Sequence, residues 1–216
     1  MLIFEDKVTT NKSLFINKVI LISQKLDIDP NWLMAVMNLE TGGTFSPSIQ
    51  NKTSGATGLI QFIPSTAKGL GTTTSALSKM SNVQQLDWVY KYLNNYKSKL
   101  VNYIDLYLAV FFPIAMTKSD TYVIESDSLS ASKIAAQNSG FDLNKNKKIT
   151  VGEIKSVFLK KIPTEWVDYF KKGKPMDSAE KFAKRNWFPI IIAVGSLAGA
   201  LWIMYKYKNT IIKNIY

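Results

Sequence analysis

Few side chains in this chain are suited to chemistry. Its 216 residues include no histidine and no cysteine. That excludes a histidine metal centre, a Ser-His or Cys-His nucleophile and any disulfide. Acid/base work must fall to carboxylates, Lys or Tyr. Among these, Glu40 stands in the most telling place. It closes an apolar run, Trp32, Leu33, Val36, Met37 and Leu39, just ahead of Gly42-Gly43. That spacing predicts a helix with one side in the core. Asp29-Pro30 supplies its start, and the glycine pair its stop. A helix C-terminus carries partial negative charge, so the dipole and the apolar neighbours both raise the pKa of a carboxyl placed there. An acid kept protonated near neutral pH is what protonation of a glycosidic oxygen requires. The plain alternative is a solvated glutamate in a helix-ending loop.

Two further short motifs follow in order. After Glu40-Thr41-Gly42-Gly43 come Gly58-Leu59-Ile60-Gln61 and Pro64-Ser65-Thr66-Ala67. Together they resemble the soluble lytic transglycosylases of the lysozyme-like class, whose members carry E-S-G-G, G-L-M-Q and P-S-T-A. The resemblance covers roughly residues 29–115. It implies that Glu40 is the catalytic acid/base and that Gln61 lines the sugar cleft, with Gly58 and Ile60 of the same motif also expected to bind substrate. The family's A-Y-N-x-G motif is absent. Tyr103 and Tyr107 lie near its expected place, and Tyr107 is the chosen substitute; both could equally be core aromatics.

Paired carboxyl groups serve retaining and inverting hydrolases. Asp87 and Asp105 are the acids between Glu40 and the apolar helix that follows, and nothing in their spacing favours a catalytic role. The resemblance therefore implies the transglycosylase reaction on peptidoglycan, between N-acetylmuramic acid and N-acetylglucosamine. There the muramic acid C6 hydroxyl attacks its own anomeric carbon and leaves a 1,6-anhydro end. A hydrolytic lysozyme of the same fold, and a non-catalytic membrane-anchored protein that binds peptidoglycan, are the alternatives. No cofactor is expected for catalysis.

A second constellation begins at Asp142. Asp142, Asn144, Asn146, Lys148, Thr150 and Glu153 fall at positions 1, 3, 5, 7, 9 and 12 of a twelve-residue stretch. This resembles an EF-hand loop, in which oxygen ligands at these positions wrap a hard cation and position 7 contributes its carbonyl. Ile149 matches the short apolar contact of such loops, and Lys147 stands where glycine is usual. With two anionic ligands and three lysines in the loop, the expectation is weak, structural calcium binding. An Asn-rich turn between helices is the alternative.

Helical patterns are also read at Ser13–Leu26, from Pro64 to about Gly69, at Ser81–Tyr96 with Ser81 as cap, and at Ile104–Met116. In the last of these, Pro113 would kink the helix or end its first part. Ser130–Gln137 and Val151–Lys161 would flank the candidate calcium loop. Residues 1–12 read as polar and irregular, residues 41–58 as a loop or short hairpin at the edge of the cleft, and residues 72–75 as a linker. In that loop Phe45, Ile49 and Gln50 could touch substrate, but pinning the loop is the favoured role. The fold class is mainly α, an α+β lysozyme-like helical glycosidase domain with a C-terminal transmembrane helix. The divisions are 1–125 for that domain, 126–170 for a helical extension, 171–186 for a basic linker, 187–207 for the membrane helix and 208–216 for a short basic tail.

The membrane reading rests on residues 187–205, which carry no charge. At about 1.5 Å rise per residue such a run crosses a hydrocarbon layer of about 30 Å. Trp187, Phe188, Trp202, Tyr205 and Tyr207 resemble interfacial belts. Gly195 and Gly199 form a GxxxG pair that could support homo- or hetero-association. Lysine and arginine total 27 against 16 acids, a net charge of +11. That suits anionic lipid or cell-wall polymer. No basic-aromatic cluster argues for base recognition, so nucleic acid is not an expected partner. Positive charge is heavier before the apolar run than after it, which orients the enzymatic part to the cytoplasm, and residues 1–12 lack the pattern of a secretory signal. Those two expectations fit a virion membrane of a membrane-containing bacteriophage, with a bacterial inner membrane as the alternative setting.

Overall fold

The computed structural model describes residues 1–173. Met1–Lys174 forms one compact unit, mainly helical. The segment expected to form a membrane helix, 187–207, its GxxxG pair, the short basic tail and most of the basic linker lie outside the described residues. Among the described residues, no helix is long and apolar enough to cross a membrane.

Two helices hold the centre. α1 (Lys12–Leu26) buries Phe15, Val19, Ile22 and Leu26. α2 (Pro30–Glu40) is buried along nearly its whole length, from Pro30 through Met37. Its start follows the sequence rules closely: Asp29 accepts a hydrogen bond from Asn31 N at 2.8 Å, and Pro30 takes the first turn. α3 (Pro64–Gly69) and α5 (Asn82–Asn94) are also where the patterns place them. In α5, Ser81 and Gln84 form a reciprocal capping box. α6 (Tyr103–Phe111) stops short of Pro113, which opens a separate 3-10 turn at Pro113–Ala115. α7 (Ala131–Gln137) and α8 (Val151–Lys160) flank the Asp142 loop.

Three segments differ from the sequence reading. The first residues are part of the core rather than a polar lead-in. Leu2, Ile3 and Val8 are buried, and Ile3 N donates to Asn31 Oδ1 at 3.0 Å. These apolar residues are spaced irregularly around a 3-10 turn at Glu5–Lys7, so they carry no period for a pattern search to find. Residues 72–75 enter α4 (Thr74–Ser78), a single capped turn in which Thr73 Oγ1 accepts from Ala76 N at 3.0 Å and Leu77 is buried. Finally, α9 (Thr164–Lys171) follows α8, in a stretch where no separate helical pattern is read.

The 126–170 extension packs into the same core. Phe170 of α9 is fully buried, with its ring 5.4 Å from that of Tyr103. Phe158 of α8 lies 5.3 Å from Tyr107. α9 is also tied by polar contacts to the start of α2, where Tyr169 Oη donates to Asp29 Oδ2 and accepts from Asn31 Nδ2.

Candidate active site

Glu40 is the last residue of α2, and the chain turns away immediately after it. The turn is tightly specified. Thr41 N donates to Met37 O at 3.0 Å, and Gly43 N to Asn38 O at 2.8 Å. Both glycines are left-handed, with φ of 58° and 84°, so the helix ends without a Cβ penalty. Thr41 is buried and its hydroxyl works twice: it donates to Met37 O at 2.7 Å and accepts from Phe45 N at 3.0 Å. A serine hydroxyl at this position could make both bonds.

The Glu40 side chain is only partly exposed. Desolvation raises its pKa from 4.5 to about 7. An ordinary glutamate is almost wholly ionised at neutral pH; this one is divided between acid and carboxylate. It can therefore give a proton and later take one back.

Tyr107 of α6 is buried, and its hydroxyl lies within reach of the Glu40 charge. Burial first, and that charge second, raise the phenol pKa, so Tyr107 remains a neutral hydroxyl. Tyr103 occupies a different setting, between Phe158 and Phe170, and its buried hydroxyl has no hydrogen-bond partner among the described residues. Of the two tyrosines weighed from sequence, Tyr107 is the one coupled to Glu40.

The Gly58–Gln61 turn is held from behind. Gly58 and Ile60 are buried, so they serve as supports and not as exposed walls. Gln61 is the partly exposed member of the turn, in left-handed backbone with φ 49°. Its amide donates to Gly58 O at 3.1 Å and reaches Ile49 O at 3.4 Å. The loop before it is pinned, as its sequence suggests. Phe45 is buried edge-on against Phe15 at 5.9 Å, and Gln50 Nε2 donates to Thr57 Oγ1 at 3.3 Å.

Sequence reasoning missed Gln85, which holds this turn in place. It is fully buried in α5. Its Oε1 accepts from Leu59 N at 2.6 Å, while its Nε2 donates to Pro47 O at 3.0 Å and Leu77 O at 2.9 Å. One amide thus joins the second motif, the preceding loop and the end of α4. The available signal was indirect: the capping box turns Gln84 outward, and its neighbour Gln85 therefore faces another way.

The other acids of this region are committed elsewhere. Asp87 pairs with Lys18 at 2.6 Å on the surface. Asp105 is buried, and its Oδ1 accepts from Thr117 N at 2.6 Å.

The Asp142 loop gathers the six expected residues into one turn. Asp142 accepts from Asn146 N at 3.1 Å and Lys147 N at 3.0 Å, and Asn146 Oδ1 accepts from Lys148 N at 2.9 Å. Glu153 closes the loop, accepting from Leu143 N at 3.1 Å and Thr150 N at 2.9 Å. Burial raises the Glu153 pKa, but the hydrogen bonds from Thr150, Asn144 and Leu143 outweigh it and leave the carboxyl below its ordinary value. Lys147 adopts the left-handed backbone, φ 63°, that glycine usually supplies at that position. Ile149 is buried, and its carbonyl accepts from Ile124 N at 2.8 Å, which fastens the loop to the body. The donors are hard oxygens, the type calcium takes. Among the described residues no group of three or more His, Cys, Asp or Glu side chains could hold a metal ion. An ion here would depend on neutral oxygens beside Asp142 and Glu153.

No curated protein and no solved structure matches the chain. Residues 18–111 match the family model described as the transglycosylase SLT domain, and that segment carries Glu40, the Gly58–Gln61 turn, Gln85 and Tyr107.

Proposed function

We propose that the chain cleaves the glycan strand of peptidoglycan between N-acetylmuramic acid and N-acetylglucosamine, by lytic transglycosylation at Glu40. The observation that carries this reading is the desolvated Glu40 carboxyl, with a pKa of about 7, inside a segment matching the transglycosylase SLT domain. Protonated Glu40 gives its proton to the glycosidic oxygen as the bond to the anomeric carbon breaks. The muramic acid C6 hydroxyl then attacks that carbon, and the Glu40 carboxylate takes the hydroxyl proton. The products are a 1,6-anhydromuramic end and a free sugar hydroxyl, and Glu40 regains its proton. Tyr107, neutral and beside Glu40, orients the acid or a substrate oxygen. Gln61 faces the sugar, with Gly58 and Ile60 supporting its turn. The engagement of Asp87 with Lys18 and of Asp105 with Thr117 favours a mechanism with one carboxylate over one needing two.

The test is Glu40→Gln, which keeps the shape and removes the acid. Clearing of purified cell walls should fall by orders of magnitude, and mass spectrometry of the parent's products should find anhydro ends. A Gln variant that clears walls as the parent does would overturn the mechanism. Reducing ends instead of anhydro ends would assign hydrolysis to the same site.

Two further parts of the reading rest on sequence. Residues 187–207 anchor the enzyme in a membrane, that of a phage particle, where it serves entry or lysis. The Asp142 loop binds calcium in a structural role, through Asp142, Asn144, Asn146, Thr150, Glu153 and the Lys148 carbonyl.

A further inference from the structure

The aromatic character of the site does not stop at Tyr107. Its ring stacks on that of Phe111, one helical turn along α6, at 5.8 Å and within 5° of parallel. Phe141 closes the group, 5.2 Å from Phe111 and 6.2 Å from Tyr107. Tyr107 is buried, whereas Phe111 and Phe141 are each half-buried. Phe141 is fixed in position: its N–H donates to Asn138 O at 2.9 Å, and Asn138 Nδ2 returns to Ile134 O at 3.0 Å, at the end of α7. The group therefore runs from the phenol that feels the Glu40 charge to two partly exposed phenyl rings with no polar atom of their own. Phe141 belongs to the extension, beyond the segment that matches the transglycosylase domain.

We propose that Phe111 and Phe141 form a saccharide subsite continuous with the Glu40–Tyr107 pair, on which a pyranose ring of the glycan strand stacks. This rests on the glycan-cleaving reading of Glu40. A pyranose presents a face of C–H groups and an equator of hydroxyls and amides. Partly exposed aromatic rings, held by their neighbours, suit that C–H face and cost little side-chain entropy on binding. Carbohydrate sites pair such apolar area with a few polar groups that fix orientation, and here Glu40 and Tyr107 supply them. The subsite would be incomplete without the extension.

The experiment uses the full chain carrying Glu40→Gln, so that ligand is not consumed. It is titrated calorimetrically with a soluble tetrasaccharide of alternating N-acetylglucosamine and N-acetylmuramic acid. Adding Phe141→Leu or Phe111→Leu keeps apolar bulk in the cluster while removing the ring, and should weaken binding roughly tenfold, about 1.4 kcal/mol. Phe141→Tyr should restore it. Melting temperatures of the Leu and Tyr variants are compared to separate packing from stacking. Leu variants that bind as tightly as the Phe111/Phe141 chain would overturn the subsite and leave the catalytic reading intact. So would a Glu40→Gln chain that fails to bind the tetrasaccharide while the parent still cleaves walls. Loss of self-association in the Leu variants, with saccharide binding unchanged, would assign the patch to a second copy of the chain and also overturn it. If the parent neither binds the tetrasaccharide nor cleaves walls, the glycan reading falls first.

Discussion

Gly58 and Gln85 leave no room for a side chain between them: a Cβ on Gly58 would stand 2.1 Å from Gln85 Oε1. Gly58 also has φ of 83°, a conformation that glycine adopts freely and alanine does not. Gly58→Ala should therefore combine strain and clash, at roughly 2–4 kcal/mol. Denaturant unfolding would read the loss. Gln85→Leu should cost a similar amount, because Leu59 N would lose its partner in the interior and Pro47 O and Leu77 O would each lose a hydrogen bond. An unfolding midpoint unchanged in both variants would contradict the described contact.

Glu40 links acidity to stability. Its folded pKa, about 7, lies above the unfolded value of 4.5, so the folded chain holds the proton more tightly. The stability from this group is complete below about pH 4.5 and is lost as pH rises through about 7. The total is on the order of 3 kcal/mol. Glu40→Gln cannot ionise, so relative to the parent it should gain stability between pH 5 and pH 8, by about that order. Thermal melts of both chains across that range would measure the difference. If the two melt in parallel, the carboxyl is solvated in the folded chain.

The same proton should appear in catalysis. The proposed mechanism requires Glu40 protonated at bond breaking, so on it the rate of wall cleavage should fall as pH rises through about 7. Tyr107→Phe removes the hydroxyl near Glu40 while keeping the ring stacked on Phe111. We expect a fall of about ten- to a thousandfold in turnover from the loss of one orienting or stabilising group. Turnover numbers on purified walls decide it.

Calcium should raise the melting temperature of the chain relative to chelator, by mass action on the folded state. Asp142→Ala should abolish that response, since Asp142 is one of the two acids of the loop. Lys147→Gly should preserve or strengthen it, because the backbone there is already left-handed, with φ 63°. Identical melts with calcium and with chelator would reject the ion.

Tyr169→Phe tests the tie between the last described helix and the start of α2. The hydroxyl donates to Asp29, whose carboxylate also caps α2 through Asn31 N. Its removal should cost about 1–3 kcal/mol and speed amide exchange across 164–171. Exchange unaltered there would mean that apolar packing, with Phe170 at its centre, holds α9 without the hydroxyl.

Much of α2 and its end is legible in the residues themselves. Asp29, Pro30, the apolar period and Gly42-Gly43 act over a turn or less, so their effect does not depend on distant partners. The same holds for the capping box of α5 and for the end of α6 before Pro113. Residues 1–8 and Gln85 were opaque for the converse reason. An irregularly spaced apolar residue or a helical glutamine has no local signature of burial, because what buries it comes from elsewhere in the chain.

Sequence by itself determined that acid/base work here falls to carboxylates, Lys or Tyr, since no imidazole or thiol exists, and that Glu40 sits where a packed helix stops. Only the tertiary structure decided how acidic that carboxyl is, which tyrosine feels its charge and which amide braces the turn of the second motif. Helix ends and turns answer to neighbours along the chain. Desolvation sums over every atom that excludes water, whichever part of the chain supplies it.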